Sequence, residues 1–249
     1  MLNIIYSEFL KLKKSYVIIL TLITSILIPV FQCIISLSDD YSSISDTLRA
    51  NLIKTYRINI ELICFELLYI VFFALIASYI FSREFTDKTI NTLYTYPISR
   101  TKIFIGKLYT IYILIVFVYF LEFVATYITL YISWGEFPSK NFITTDIKAN
   151  VYSMLMQFLL IPIPILIGNI TKNIIFPVVY GILAAASSTF LLLMGIYMQM
   201  SPLILPALPI YYFHIGDPID FVIVTINAVL IFGMSMFICV YHYKHVDIN

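Results

Sequence analysis

Apolar residues in this chain fall into long unbroken runs, separated by short polar stretches. A helix that crosses a bilayer needs about 20 mainly apolar residues, because the hydrocarbon is about 30 Å thick and each residue rises about 1.5 Å. Six segments meet that length: residues 16–37, 62–82, 108–133, 151–170, 174–197 and 221–240. The first is uncharged, the second has Glu66 near its start, the third is interrupted only by Glu122, and the fourth contains Pro162 and Pro164. Backbone groups in hydrocarbon must be satisfied within their own segment, which selects helices, and the runs are too continuous for alternating barrel strands. The expected fold is all-α: one polytopic membrane domain, residues 1–249, with six transmembrane helices. The link at 169–173 is short, so a re-entrant hairpin of the fourth and fifth segments is the alternative there.

The stretches between the spans have their own patterns. In residues 1–15, Leu2, Ile5, Phe9 and Leu12 recur at three- and four-residue spacing, with Glu8, Lys11 and Lys14 elsewhere on the wheel. That pattern predicts an amphipathic helix at the membrane interface. Residues 38–59 are polar with mixed charge, which predicts a partly helical loop outside the bilayer. Residues 198–218 carry Pro202, Pro206, Pro209 and Pro218 but no Lys or Arg. Short broken helices dipping into the outer leaflet are expected there, with protein or water satisfying the irregular backbone. In the loop 83–107, Glu84 and Lys88 sit at i, i+4 spacing, so a short helix is expected from about Glu84 to Tyr96. Pro97 ends it, and Ser99 caps the next span. Trp134, Tyr211 and Tyr212 suit an outer aromatic belt, Tyr241 and Tyr243 an inner one.

Composition agrees with the pattern: 61% of residues are hydrophobic and 12% charged, against about 45–50% and about 25% in soluble domains. Six spans put both termini on one side. That side receives Lys11, Lys13, Lys14, Arg83, Lys88, Arg100, Lys102, Lys107, Lys172 and Lys244, and the other receives Arg49, Lys54, Arg57, Lys140 and Lys148. Ten against five, out of 15, places both termini in the cytoplasm.

Chemistry-bearing motifs are sparse. Gly106-Lys107 is followed by Leu108 and lacks the earlier glycine of a phosphate loop, so no ATP site is expected. His214, His242 and His245 are scattered, and no HExxH or GxSxG occurs, so no metal, cofactor or catalytic set is expected. Cys33, Cys64 and Cys239 read as packing residues. Nothing points to nucleic acid. Glu122 and Glu66 are the exceptions, since ionisable groups inside spans usually face a cavity or a partner. They are candidates for a translocation path or a subunit interface; a packing role is the alternative, favoured for Glu66.

The layout and two segments resemble the ABC type-2 permeases. One segment is residues 4–15, IIYSEFLKLKKS; the other is residues 82–107, SREFTDKTINTLYTYPISRTKIFIGK. The family shows an acidic residue after the second span, a Gly-Thr-like pair, a Leu, then Pro-x-Ser-Arg and a Lys opening the third span. Here these are Glu84, Lys88-Thr89, Leu93, Pro97, Ser99, Arg100 and Lys107; Lys88 departs from the common glycine. Compact members include the membrane subunits of bacitracin-type and lantibiotic self-protection exporters. The resemblance implies a half-transporter in a bacterial plasma membrane, without its own ATPase site. It would pair with a second permease subunit and a cytoplasmic ATP-binding subunit. The ATPase would receive a coupling helix presenting Glu84, Phe85, Asp87, Lys88, Leu93, Pro97 and Arg100. Membrane lipid surrounds it, and export of a peptide antibiotic or similar amphiphile is the expected task. The alternatives are a membrane enzyme without an ATPase and a non-transporting assembly or sensor subunit.

Overall fold

A computed structural model describes residues 2–13, 15–38, 45–90, 95, 97–192 and 199–245. Among these residues the regular structure is helical, with no strand. The main helices are α1 (Leu2–Lys13), α2 (Val17–Ser38), α3 (Asp46–Leu62), α4 (Tyr69–Thr86), α5 (Arg100–Trp134), α6 (Lys140–Leu160), α7 (Pro162–Thr171), α8 (Ile175–Leu192) and α9 (Phe221–His245). Among the described residues five stretches are long and apolar enough to cross a membrane: Val17–Ser38, Asp46–Thr86, Arg100–Trp134, Lys140–Thr171 and Val222–Tyr243; Ile175–Leu191 is a shorter apolar helix. The fold is an all-α polytopic membrane protein, as the hydrophobic runs predict.

The second span is much longer than its apolar run. A π-helical turn, Ile63–Leu68, joins α3 to α4 without a break. The result is a 41-residue rod, roughly 60 Å long at 1.5 Å per residue. The stretch expected as a loop is therefore largely the first part of this rod. Its tip is tied to the end of α5, where Arg49 donates to the Trp134 carbonyl at 2.6 Å and lies 3.6 Å from Glu136. The rod is also the centre of the molecule. Its most apolar window is 67% buried, against 28% for α2 and 22% for α9. The Phe65 ring lies tilted against Tyr119 of α5 at 4.7 Å, and Tyr69 meets Tyr119 edge-on at 5.1 Å. Phe81 packs on Phe104 at 5.2 Å, and Tyr243 of α9 lies 5.5 Å from Phe104. Tyr243 is thus a core residue, 1% exposed, rather than part of a belt.

α8 lies close against α4. A Cβ at Gly181 would stand 3.0 Å from both Val71 Cα and Ala74 Cβ, so the two helices meet backbone to backbone there. The prolines of the fourth segment do not end its helix. α6 and α7 run on through Ile161. Pro162 has no N–H to offer the Phe158 carbonyl four residues back; the Tyr112 hydroxyl donates to that carbonyl instead, at 3.3 Å.

Residues 199–215 form a 3₁₀ turn (Pro202–Ile204), a helical turn (Leu208–Ile210) and a second π turn (Tyr211–Ile215). Ile204, Leu205, Ala207, Leu208 and Ile210 are buried, and most of them pack with Leu160, Val224 and Ala228. Protein thus covers this irregular backbone, which is the condition under which such backbone is tolerated at membrane depth.

Candidate functional site

Two clusters of ionisable side chains lie toward opposite ends of the rod and α5. The first joins α1, α4 and α5. Lys107 is fully buried, and its ammonium donates to the Ile80 carbonyl at 2.8 Å and to Glu84 Oε2 at 2.6 Å. The other oxygen of Glu84 accepts from Lys11 at 2.8 Å, and Lys11 also reaches Glu8 at 2.7 Å. Two ammonium groups therefore face two carboxylates. Burial by itself would lower the Lys11 pKa, but Glu84 and Glu8 reverse that and raise it. Packing reinforces the contact. A Cβ at Gly106 would come within 2.6 Å of Ile4 Cγ2, so only glycine lets α1 lie this close to α5.

This changes the picture of the loop motif. Glu84 does not pair with Lys88; it is the buried anchor of Lys107 and Lys11, and Asp87 pairs with Arg83 at 3.0 Å. α4 continues through Thr86, so Glu84 and Phe85 lie in its last turn rather than opening a separate helix. Lys88 then adopts φ 55°, with its N–H on Phe85 O at 3.2 Å and the Thr89 N–H on Glu84 O at 2.9 Å. These are the two hydrogen bonds of a Schellman stop, whose left-handed residue is usually glycine. Phe85 is half-buried, with the Lys172 ammonium 5.9 Å from its ring. Asp87, Lys88 and Pro97 are exposed and Arg100 is half-buried. Leu93 lies outside the described residues. Ser99 occupies the N-cap position of α5 with extended backbone, but its carbonyl, not its side chain, takes the capping bonds from Lys102 and Ile103.

The second cluster is centred on Arg57 of α3, which is fully buried. Its guanidinium holds Glu61 at 2.9 Å, Asp146 of α6 at 3.0 and 3.1 Å, and Glu122 of α5. The group lies over the rings of Phe123 and Tyr127 at 5.2 and 5.9 Å. Thr126 donates to Glu122 at 2.8 Å, Tyr127 donates to Asp146 at 2.6 Å, and Asn150 lies 3.4 Å from Glu122. His214, in the second π turn, places Nε2 3.5 Å from Glu61 Oε2 and 3.5 Å from Asp146 Oδ1. Glu61, Asp146 and His214 thus form a group of potential metal donors, which the scattered spacing of the histidines does not suggest. Glu122 is the one member singled out from sequence; Arg57 reads there only as a topogenic charge. Glu66 stands apart, buried in the first π turn, and its backbone carbonyl accepts from Ser188 of α8 at 3.2 Å.

Long apolar helices, and charged side chains that are gathered in buried clusters rather than left facing lipid, define a multi-pass helical membrane protein. A family model described as ABC-2 family transporter protein matches residues 4–188, and the chain belongs to that family. It is a membrane-spanning transport subunit of an ABC transporter, and membership implies association with an ABC ATP-binding subunit. No curated protein and no solved structure gives a significant match.

Proposed function

We propose that this subunit works in an ATP-driven exporter, with both termini cytoplasmic, paired with a second permease subunit above an ATPase dimer. The segment after α4, through Pro97 and Arg100, is the docking site for the ATPase. One observation carries this reading. The Lys107–Glu84–Lys11 cluster ties α1, α4 and α5 together directly beside that segment. A push on the segment reaches two spans and the interface helix as one body. Glu84 then contributes by holding the lever, while Phe85, which is half-buried, and Leu93, placed there by the sequence motif, supply the apolar anchor and Asp87 and Lys88 the polar rim. The substrate we favour is a peptide antibiotic or similar amphiphile taken from the membrane, because among the described residues the stretches joining the spans on the outer side form no separate domain that would capture a soluble one.

The test is the double variant Phe85→Ala, Leu93→Ala. Pull-down of the ATPase should weaken, or hydrolysis should continue without resistance to the exported compound, while the chain still inserts and pairs. Unchanged binding and unchanged resistance would remove the docking role.

A further inference from the structure

We propose that Glu61, Asp146 and His214 bind a divalent transition-metal ion, zinc by the chemistry of the donors, in the buried cluster around Arg57. Charge is the first argument. One guanidinium faces the carboxylates of Glu61, Glu122 and Asp146, all with side chains 0% exposed. With His214 neutral and all three carboxylates ionised the cluster would carry two negative charges in excess, in a setting where uncompensated charge is costly. One divalent cation cancels that excess.

Unused donors are the second argument. Glu61 Oε1 accepts from Arg57, but Glu61 Oε2 has no hydrogen-bond partner, and neither has His214 Nε2. Their side chains are 0% and 1% exposed. The two orphaned atoms face each other at 3.5 Å, and His214 Nε2 lies equally close to Asp146 Oδ1. The spacing is that of ligands rather than of hydrogen bonds. Nitrogen and oxygen bound tetrahedrally to zinc at 2.0–2.1 Å lie about 3.3 Å apart. Here Nε2 stands 3.5 Å from each carboxylate oxygen, and ligand atoms of all three residues lie within 4.8 Å of one another.

The surroundings fix the donors in place. Arg57 and Tyr127 hold Asp146, and the Phe142 ring lies 5.0 Å from that of His214. Ligands held in this way by outer partners bind metal more tightly. The backbone contributes as well. Glu61 is two residues before the π turn Ile63–Leu68, and His214 is inside the π turn Tyr211–Ile215. Such turns break the regular register of helical side chains and recur at functional sites. Three protein donors leave a fourth position for water. The ion would pin residues 211–215 to α3 and α6, closing one end of the bundle.

The experiment is elemental analysis of the full-length chain, purified without a histidine tag from cells grown with zinc and washed with a weak chelator. Zinc at a one-to-one ratio is expected. A strong chelator should remove it and lower the melting temperature, and zinc should restore that temperature where magnesium does not. His214→Gln should abolish retention, whereas His214→Cys, which keeps a zinc-binding atom, should preserve it. Replacing His242 and His245 together should leave the ratio unchanged. A wild-type chain that holds no zinc and gains no thermal stability from it overturns the proposal and assigns the excess charge to protons. Zinc retained in full by His214→Gln, or lost with His242 and His245, overturns it too. The wild-type measurement decides even if a variant fails to fold.

Discussion

The two charge clusters use similar residues and reach opposite states. The cluster at α1 pairs Lys11 and Lys107 with Glu8 and Glu84, so its formal charges balance, and Lys11 remains 40% exposed. The cluster at Arg57 is closed to solvent, and its single guanidinium meets three carboxylates. Balance with a partly wet edge describes a clasp, whose worth is mechanical. Three carboxylates facing one guanidinium without solvent call for further positive charge, either the proposed metal ion or protons. Ion pairs at depth are weak evidence of stability in themselves, but removing one partner is expensive because it leaves the other charge stranded. The clusters should therefore respond very differently to the loss of one cation.

Arg57→Met should have the largest effect. It strands three buried carboxylates, so destabilisation of about 3–5 kcal/mol or more is expected, read as a loss of folded monomer in detergent. Combining it with Glu61→Gln, Glu122→Gln and Asp146→Asn should recover much of that loss. A single Arg57→Met variant with wild-type melting would break the comparison. Lys107→Met comes next. Glu84 keeps Lys11 as a partner, so about 1–3 kcal/mol is expected, the range for a buried acceptor that loses a donor.

Glu122→Gln should lower stability less than Arg57→Met, because an amide still accepts from Arg57 and Thr126. If Glu122 also lines the path, transport should change while insertion does not; wild-type transport across pH would leave it a packing role. The smallest effects lie at the wet edge. Lys11→Ala should cost about 1 kcal/mol or less, since the ammonium is partly solvated and screened. The raised pKa of Lys11 means that its contribution is present at neutral pH and is lost only as pH rises past the ordinary lysine range. Lys88→Gly should stabilise the chain by about 1 kcal/mol, because a left-handed residue with a side chain carries that strain. A lower melting temperature for that glycine variant would contradict the helix stop described above.

The spans and the helical class were legible because lipid imposes a length and an apolarity that leave a direct trace in the sequence. The helix at Leu2–Lys13 was legible in the spacing of Ile5, Phe9 and Leu12, but its packed face was not, since Leu2 is exposed and Glu8 is buried. The continuity of α3 into α4 was not. Its first half is polar on the page, and only the folded chain turns Arg57 and Glu61 inward onto α5 and α6. The Arg57 cluster was hidden for the same reason: its members come from positions 57, 61, 122, 146 and 214, with no local spacing to mark them. Glu122 alone stood out, as a carboxylate in an apolar run that needs a partner. Glu84 and Lys107 were visible as motif residues, but their mutual contact was not, because a pair 23 positions apart leaves no periodic signal.

Orientation offers an independent check. Single cysteines at Ser45 and Ser139 in a cysteine-free background should react with an impermeant thiol reagent in intact cells, and one at Ser99 should not. Labelling at 99 would invert the assignment of the two clusters to the two sides of the membrane.

The most direct test of the account is purification of the chain from its native membrane under conditions that preserve complexes. An ATP-binding subunit should accompany it, the complex should hydrolyse ATP, and the chain stripped of that subunit should not. ATP hydrolysis by the isolated chain, or a complex with no ATP-binding chain, would contradict the reading of this protein as a transport subunit driven by its partner.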